Sequence, residues 1–435
     1  MDKLRLYMVT WNVATRQPEE DVEEMLGIDK MTDDLLPDLY AIGLQEVKSQ
    51  PQNILMDAIF DDPWTNVFKD VLTKRDYIKV KTIRLQGILL SLFCLRKHLL
   101  HVRDMETQYT KTGLGGIWGN KGAVSIRLNI YGCSLCIVNC HLTPHDPYLQ
   151  ERVADYNTII RKQVFKKRET SHILYHDYVF WIGDLNFRLE ENPALTAEKI
   201  DSLVRKGDLK TLLQKDQLHQ VMNSGDAFSE LTETLPTFPP TYKFQFYSSD
   251  YDLKRRPSWT DRILYNVNEN AYENMTLEVE QLSYNSFPQY TQSDHKPVKA
   301  DFLVKVFSDH EDSFVTFEEI GVWCTSRDNS ATYLVPSGVE PAFWDWIGVY
   351  KDGFTSLDDY ICYSYAPRMT VAVRSDDGSQ VKKITFPVCT LRTTGLHRLV
   401  YFGSNSGSIL GMSQVFEIKS TDSSHLHNGF DNDET

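Results

Sequence analysis

The sequence predicts an α/β domain followed by a small all-β sandwich, and three observations lead to that fold class. Over about the first 300 residues, short apolar runs end in clusters of polar residues. Segments of helical periodicity separate several of these runs, as in α/β domains. Beyond residue 304, runs of Val, Thr, Tyr and Phe recur at short spacing between Gly, Asp and Ser, which is typical of a β-sandwich. A chain of 435 residues, 41% of them hydrophobic, is long enough for two or three domains with their own cores.

Strands and helices are predicted from the N-terminus by runs of apolar residues and by their period. The predicted strands are Leu4–Asn12, Leu39–Leu44, Gln86–Leu95, Leu135–Val138 and Tyr178–Ile182. The predicted helices are a short acidic one over Glu19–Leu26, amphipathic helices over 53–72 interrupted by Pro63, one over Gln150–Lys167, and Leu-rich helices over 195–221. These helices supply scaffold, because their period is helical and they carry no cluster of chemically active groups.

The stretch FWIGDLNFR, Phe180–Arg188, changes character abruptly from apolar to polar. Asp184, Asn186 and Arg188 follow the buried strand on alternate residues, so an extended backbone would direct them to one side. Polar residues at the carboxyl end of a buried strand are typical of sites in α/β enzymes. An Asx-turn that merely ends the strand is the commoner explanation of a lone Gly-Asp pair.

Further polar clusters at strand ends favour a functional site over a simple turn. They comprise Trp11-Asn12, Gln45-Glu46, Asn139-Cys140-His141, Trp259-Thr260-Asp261-Arg262 and Ser293-Asp294-His295-Lys296-Pro297. Carboxylate and amide oxygens suit a hard cation such as Mg²⁺, while His, Asn, Lys and Arg suit a phosphoryl group. Glu46 is the best single candidate for a metal ligand.

The glycine-rich stretch Thr112–Val124 predicts a flexible loop. It holds five Gly in thirteen residues and includes Asn120-Lys121-Gly122. A nucleotide-binding P-loop is excluded, because that motif requires Gly-Lys followed by Ser or Thr. No dinucleotide-binding glycine motif opens a helix elsewhere.

These clusters resemble the two signature blocks and the supporting blocks of the inositol polyphosphate 5-phosphatases, a branch of the endonuclease, exonuclease and phosphatase superfamily. The signatures are FWIGDLNFR and RRPSWTDRIL, the latter at Arg255–Leu264. The supporting blocks, in family order, are TWNVA, GLQEV, TGLGGIWGNKGAV, NCHLTPH, FPPTYKF and SDHKPV. They span about residues 4–304. The part after residue 304, with FWDWIGVY at Phe343–Tyr350, resembles a SKICH domain, as in the branch of the family that carries one.

The resemblance implies a four-layer α/β sandwich over 1–304, an immunoglobulin-like SKICH sandwich over 305–420 and Mg²⁺-dependent removal of a 5-phosphate. Phosphoinositides, with soluble inositol polyphosphates as a second class, would be the substrates. The implied catalytic residues are Asp184, Asn186, His141, Asp261 and His295. The implied metal ligands are Glu46, Asn12 and Asp294, and the implied substrate-binding residues are Asn12, Tyr242, Lys243, Arg255, Lys121 and Arg188. Direct attack by water is expected, because no Cys-x5-Arg phosphatase loop is present.

The resemblance also places the glycine-rich stretch at the rim of the substrate site. Leu114, Ile117 and Trp118 would then contact lipid, since Trp is suited to a membrane interface. Ordinary packing of these side chains inside the domain is the competing explanation. The Tyr242-Lys243 pair would hold a 4-phosphate. The loop before Arg255 is short for the family, so Arg255 corresponds cleanly and Lys254 does not.

Charge and composition exclude several classes of protein. The net charge is −14, with positive groups only in small knots, which argues against a nucleic-acid binder. Seven Cys without CxxC pairs favour a reducing compartment. The sequence shows no signal peptide, no long apolar run and no prenylation motif, so we expect a monomeric cytoplasmic protein, peripheral at the plasma membrane or endoplasmic reticulum.

The C-terminal part favours binding over chemistry. Its predicted strands are Val371–Arg374, Lys383–Phe386, Arg398–Phe402 and Val415–Ile418, and no nucleophile and base lie close together. A protein partner is expected for this domain, and the acidic tail 421–435 is predicted to be disordered. Two other functions remain open: a metal-dependent nuclease of the same superfamily, and a scaffold that binds phosphoinositides without catalysis.

Overall fold

The computed structural model describes residues 2–48, 62–116, 118–366, 373–374 and 378–420. The chain divides into two compact units: Met1–His98 with Met105–His310, and Leu99–Asp104 with Glu311–Thr435. The predicted acidic tail lies outside the described residues.

The α/β part contains two sheets. Its strands are β1 (Lys3–Asn12), β2 (Leu39–Gln45), β3 (Tyr77–Leu85), β4 (Ile88–Leu95), β5 (Val102–Thr112), β6 (Trp118–Ile130), β7 (Cys133–His141), β8 (Tyr178–Asp184), β9 (Asp261–Val267), β10 (Val279–Ser286) and β11 (Val298–Lys305). One sheet has the order β10-β11-β1-β2-β4-β3 and the other the order β5-β6-β7-β8-β9. β1 pairs in parallel with β2, and β7 pairs in parallel with β8. The ladders β1–β11, β10–β11, β2–β4, β3–β4, β6–β7 and β8–β9 are antiparallel.

Helices cover the outer faces of the two sheets. They are α1 (Glu23–Leu26), α2 (Pro63–Leu72), α3 (Gly113–Gly116), α4 (Leu149–Lys162), α5 (Ala197–Arg205), α6 (Leu209–Leu213) and α7 (Gln217–Ser224). Short 3₁₀ turns occur at Ile28–Lys30, Asp33–Leu35, Thr73–Arg75, Arg96–His101, Arg168–Thr170 and Ile173–Tyr175.

The order of layers is helix, sheet, sheet, helix. Trp64 and Phe68 of α2 pack in one core cluster with Trp11 of β1. Tyr156 of α4 packs in another with Trp181 of β8. Between the sheets, the rings of Phe180 and Phe302 lie 5.1 Å apart. The predicted four-layer α/β sandwich is therefore confirmed.

Of the helices predicted over 53–72, residues 53–61 lie outside the described residues, and Pro63 begins α2, because Pro fits the first helical position and Asp62 caps the helix. Two other local predictions for this part were wrong. The acidic helix covers only Glu23–Leu26. The glycine-rich stretch is not one flexible loop: it forms α3 and the start of β6, since ladder pairing with β7 from Gly122 onward holds the backbone extended.

Gly183 fixes how closely the two central strands of the second sheet approach. Its φ is 145°, and a Cβ at this position would lie 2.1 Å from the Cys140 carbonyl oxygen. Only glycine can occupy this position without moving β7 away from β8. The residue after it, Asp184, thereby pairs with His141 across the ladder.

The second unit is all-β, as predicted. Its strands are β12 (Thr316–Phe317), β13 (Trp323–Cys324), β14 (Asn329–Val335), β15 (Trp346–Lys351), β16 (Cys362–Tyr365), β17 (Val373–Arg374), β18 (Gln380–Phe386), β19 (Gly395–Gly403), β20 (Ser408–Met412) and β21 (Phe416–Lys419). One sheet has the order β12-β14-β18-β17; the other has the order β13-β21-β19-β15-β16, with β20 on β19. Residues from both sheets, including Tyr333 and Phe386 from one and Ile347 and Leu399 from the other, share one core.

Candidate active site

The ends of β1, β2, β7 and β8 bring the first group of predicted site residues together around Asp184. Asn12 Nδ2 donates a hydrogen bond to Asp184 Oδ2 at 2.9 Å. His141 Nε2 lies 3.3 Å from the same oxygen, and His295 Nε2 lies 3.9 Å from it. Glu46 Oε1 lies 3.9 Å from His141 Nε2. Residues separated by up to 283 positions in the sequence thus share one buried site.

Asp184 is a buried carboxylate in a positively charged environment. Burial alone raises its pKa, but the neighbouring His141, the His295 imidazolium and Lys121 outweigh burial and lower the pKa well below its usual range. The backbone N–H of Asn186 donates to Asp184 Oδ1 at 3.1 Å. Asp184 is therefore ionised at neutral pH and held at both oxygens.

His295 is oriented by Asp261, as the resemblance implied. His295 Nδ1 lies 2.9 Å from Asp261 Oδ2, and both side chains are buried. Burial lowers the pKa of His295, but the charges of Asp261 and Asp184 and the hydrogen bond to Asp261 raise it to about 10. The imidazole is therefore protonated at neutral pH, with Nδ1–H directed to Asp261 and Nε2–H on the side of Asp184.

Two threonines that the sequence analysis missed complete this pair. The hydroxyls of Thr241 and Thr260 donate to Asp261 Oδ2 at 2.7 and 2.9 Å. Both lie inside motifs already recognised, FPPTYKF and WTDRIL, so the motifs were the available signal. Together with His295, they give this one carboxylate oxygen three donors.

His141 differs from His295 in charge. Burial and the charge of Lys121 lower the pKa of His141, although Asp184 and Glu46 act in the opposite direction. Lys121 Nζ lies 2.5 Å from His141 Nε2. The predicted substrate-binding residue Lys121 therefore lies in the group around Asp184, where burial lowers the pKa of its ammonium and the charges of Asp184 and Glu46 act in the opposite direction.

Asn186 and Arg188 lie together, but not through an extended backbone. Asn186 has φ 58°, so the expectation that Asp184, Asn186 and Arg188 alternate along an extended chain was wrong. The turn lets the Arg188 guanidinium donate to Asn186 Oδ1 at 2.5 Å and to its carbonyl at 3.1 Å. Asn186 Nδ2 donates to the Leu142 carbonyl at 3.0 Å.

Tyr242 and Lys243 form one wall of the site. The Tyr242 ring lies 4.5 Å from the His295 ring, and the Arg188 guanidinium lies over Tyr242 at 4.4 Å. Lys243 Nζ lies 3.0 Å from Asp294 Oδ2. Asp294, predicted as a metal-site carboxylate, is thus the ion-pair partner of the residue predicted to bind a 4-phosphate.

The two arginines that open the second signature, Arg255 and Arg256, lie in different environments. Arg255 is exposed. The pKa of His145 is lowered by the burial of that imidazole and by the charge of Arg255, so Arg255 lies near the loop after β7. Arg256 donates to Asp146 and to the carbonyls of Leu189 and Glu190, each at 3.0 Å. Arg256 therefore anchors loops, whereas Arg255 is available to a ligand.

Arg152 was also missed, because a helical arginine gives no signal in the sequence. It is buried in α4 and donates to the carbonyl of His145 at 2.7 Å. It also donates to Gln217 Oε1 at 2.8 Å, which accepts from the Arg188 backbone N–H at 2.9 Å. This network fixes the loop after β7 and the start of the Arg188 segment.

Two groups of residues are candidates for holding a metal ion. Asp184, Asp261 and His295 have ligand atoms within 4.8 Å of one another. However, Asp261 Oδ2 already accepts three hydrogen bonds and His295 is a cation, so this set is better explained as an oriented imidazolium. Glu46 and Asn12 offer hard oxygens, and the Glu46 side chain is 42% exposed, so it can accept a ligand. The donor set at Glu46 and Asn12 therefore fits Mg²⁺.

The side chains of the predicted lipid-contact residues lie outside the described part of the structure. Ile117 lies outside the described residues, and only the backbone of Leu114 and Trp118 is described, in α3 and at the start of β6. Their role stays a prediction. Among the described residues, no helix combines the length and apolar character that a membrane span requires.

Two family models match the chain. Residues 9–301 match the Endonuclease/Exonuclease/phosphatase family 2 model, and residues 315–418 match the SKICH domain model. Mouse inositol polyphosphate 5-phosphatase K is 34% identical over 432 residues, covering 95% of this chain and 90% of that protein. The chain belongs to the inositol polyphosphate 5-phosphatase family.

Other relatives are longer than this chain. Mouse phosphatidylinositol 4,5-bisphosphate 5-phosphatase A is 37% identical over 425 residues, which is 95% of this chain but 42% of the mouse protein. The human protein of the same name is 36% identical over 451 residues, 99% of this chain and 44% of that protein. The chain thus spans less than half of the length of these relatives.

Solved structures show that this family's fold serves more than one purpose. The 5-phosphatase domain of SPsynaptojanin, in complex with inositol (1,4)-bisphosphate and calcium, is similar with a TM-score of 0.59 and 31% identity, covering 70% of this chain and 85% of that one. A Cimex nitrophorin, in its ferrous NO complex, is similar with a TM-score of 0.57 and 29% identity, covering 70% of this chain and all of that one. Fold alone therefore does not establish catalysis, and the site residues must carry that argument.

Proposed function

We propose that this protein is a Mg²⁺-dependent phosphatase that removes the 5-phosphate from phosphoinositides such as PI(4,5)P2 and PI(3,4,5)P3, and from soluble inositol polyphosphates. The observation that carries the proposal is the group around Asp184, in which an ionised carboxylate lies among Asn12, His141, Lys121 and a protonated His295. This group combines a water-orienting base with fixed positive charge, as phosphoryl transfer requires.

In the proposed reaction, a water molecule attacks phosphorus, the bond from phosphorus to the inositol 5-oxygen breaks, and that oxygen takes up a proton, which gives inorganic phosphate and the free inositol hydroxyl. Asp184 orients this water and accepts its proton as the new P–O bond forms. The imidazolium of His295, fixed by Asp261, donates to a phosphoryl oxygen and stabilises its growing negative charge. Asn186 and His141 hold the remaining phosphoryl oxygens, and Lys121 supplies positive charge beside His141. Mg²⁺, held by Glu46 and Asn12, would neutralise charge on the scissile phosphate and the leaving oxygen when bound.

Recognition of the substrate is assigned to the basic residues beside this group. Lys243, Tyr242 and Arg255 would bind a 4-phosphate, and Arg188 would support the Tyr242 wall through its contact with the ring. A compact array of Lys and Arg on an acidic chain favours an inositol polyphosphate over a nucleic-acid duplex. We further propose that the protein acts peripherally on lipid surfaces and that the SKICH domain binds a partner.

Phosphate release from a panel of phosphoinositides and inositol phosphates, with Mg²⁺ and with EDTA, tests the proposal. We expect release only from 5-phosphorylated compounds, with EDTA abolishing it and added Mg²⁺ restoring it. Cleavage of abasic DNA at a comparable rate would instead favour a nuclease. Binding of phosphoinositides without turnover would favour a scaffold.

A further inference from the structure

An exposed aromatic surface covers the outer face of the sheet β13-β21-β19-β15-β16 in the second unit. We define it by Trp344, Trp346, Tyr360, Tyr363, Tyr365 and Phe402. Trp344 is 60% exposed and Tyr365 is 52% exposed; Tyr363 and Tyr360 are 45% and 44% exposed. None of the six belongs to the described core cluster of this unit.

The strand register builds this surface. In β15, Ile347 and Val349 point into the core, so Trp346 points outward. Trp346 pairs with Phe402 of β19 on one side and with Tyr365 of β16 on the other. Three strands thereby place aromatic residues side by side on one face.

Ring contacts make the surface continuous. Trp346 stacks on Phe402 at 5.0 Å and meets Tyr360 and Tyr363 at 5.4 and 5.6 Å. Trp344 meets Tyr365 at 5.6 Å. A contiguous exposed patch of this kind marks an interaction site more often than a solvated surface. These exposed rings lie outside the core of the unit, so they are candidates for contact with a ligand.

The charges around the surface select the sign of that ligand. Residues 338–366 contain a single base, Lys351, and the acids Glu340, Asp345, Asp352, Asp358 and Asp359. Arg398, which follows the same outward alternation in β19, donates to Asp352 at 2.8 Å, so these two charges compensate each other, and Asp345 is buried. The remaining acids Glu340, Asp358 and Asp359 outnumber Lys351. The local field is therefore negative, which repels anionic lipid and nucleic acid and attracts cations.

We propose that this aromatic surface binds a basic, arginine-containing segment of a partner protein. Guanidinium groups stack on the faces of Trp and Tyr rings and gain from their quadrupoles, and they retain their charge toward the neighbouring acids. The tyrosine hydroxyls at the margin can accept hydrogen bonds from the same groups. The inference does not rest on the proposed phosphatase activity.

Fluorescence anisotropy on the full chain tests the proposal, with a labelled peptide of alternating arginine and proline as the probe. Matched peptides carry lysine or glutamate in place of arginine. The test variant is Trp344→Ser with Tyr365→Ser. The control is Val322→Ser with Val388→Ser, which removes two other exposed apolar side chains, 50% and 44% exposed, elsewhere in the same unit.

We expect the arginine peptide to bind more tightly than the lysine peptide, and the glutamate peptide not to bind. The test variant should bind the arginine peptide about tenfold more weakly, because it loses two cation–π contacts. The control variant should bind as the unaltered chain does, and neither variant should lower the melting temperature. Equal binding by the test variant and the unaltered chain would overturn the proposal. A second outcome would also overturn it: the unaltered chain binds vesicles of phosphatidylcholine and phosphatidylserine but not the peptide, and the test variant loses the vesicle binding. The surface would then be a membrane contact.

Discussion

At the scale of single residues, the neighbours of the two histidines in the site give them different charges. His295 lies beside two carboxylates and is a cation, whereas His141 lies beside Lys121 and is neutral. Asp184 lies between them and is held ionised. One carboxylate therefore faces a protonated ring on one side and a neutral ring on the other.

Asp184→Asn is expected to abolish turnover while leaving the fold intact. The amide has nearly the same shape, but it cannot accept the proton of the attacking water. We expect at least a ~10²-fold lower kcat, the low end for general-base catalysis. Initial rates with Mg²⁺ and PI(4,5)P2 measure this, with the exposed Asp309→Asn as matched control. A variant that retains about a tenth of the rate would contradict the role given to Asp184.

Lys243→Ala is expected to weaken recognition of a 4-phosphate. Loss of one charged hydrogen bond should lower kcat/KM for 4,5-bisphosphorylated substrates by about 1.5–3 kcal/mol. Substrates without a 4-phosphate should change much less. Arg255→Ala should act in the same direction.

Because Lys243 also pairs with Asp294, a structural loss must be separated from a binding loss. The double variant Lys243→Ala with Asp294→Asn removes both charges and serves as the control. If kcat/KM falls equally for substrates with and without a 4-phosphate in the single variant, Lys243 stabilises the fold or binds the 5-phosphate, and it does not bind the 4-phosphate.

At the scale of elements, a buried ionic group joins β9 to α7 and to the segment that contains Glu233. The Arg262 guanidinium lies 3.0 Å from Asp216 at the start of α7 and donates to Glu233, and both side chains of each pair are inaccessible to solvent. His219 of α7 and the Tyr284 hydroxyl also contact Glu233, at 3.1 and 2.8 Å. Paired on several sides, these charges hold the second signature strand in place.

Glu233→Gln is expected to destabilise the protein in a pH-dependent way. Burial raises the pKa of Glu233, but Arg262 and His219 lower it to about 2 from 4.5. A lowered carboxyl pKa stabilises the folded state above pH ~4.5, and this contribution disappears as the pH falls toward ~2. We expect a loss of about 3 kcal/mol in the free energy of unfolding at pH 7.

Urea unfolding of both proteins between neutral and acid pH checks this expectation. The difference in unfolding free energy should be largest above pH ~5 and should narrow toward pH ~3. A difference that does not change with pH would mean that packing, and not charge, explains the effect of the substitution.

At the scale of the whole molecule, catalysis and binding are assigned to different units. The family fold is shared with a ferrous NO-binding nitrophorin, so the layers alone do not determine chemistry. The chemistry of this chain must therefore be argued from the residues at its strand ends. The SKICH unit adds an aromatic surface outside its core cluster. Substrate access from a membrane would then depend on how the catalytic unit contacts lipid.

Ile117→Ser with Trp118→Ser is expected to separate lipid from soluble substrates. Burial of two apolar side chains in a bilayer could contribute ~1.5–3 kcal/mol each, so their loss should strongly slow hydrolysis of PI(4,5)P2 in vesicles. A short-chain soluble analogue should be hydrolysed at nearly the unaltered rate. A lower melting temperature, or equal losses on both substrates, would show that these side chains pack inside the domain.

The sequence by itself determined the fold class and the family, and it named most of the residues that the structure brings together around Asp184. Polar groups follow buried strands in recognisable motifs, and both the apolar period and the motif spacing are local properties of the chain. That is why Asp184, His141, Asp261 and His295 could be named before their contacts were known.

Only the tertiary structure decided which of these groups touch and what charge they carry. The turn at Asn186, the two threonines on Asp261, the pairing of Lys243 with Asp294 and the separation of Arg255 from Arg256 all depend on segments that are distant in sequence. Protonation of His295 and neutrality of His141 depend on burial and on neighbours from other strands. These properties arise when the two sheets pack, because local sequence cannot fix distances between residues that meet only in the folded chain.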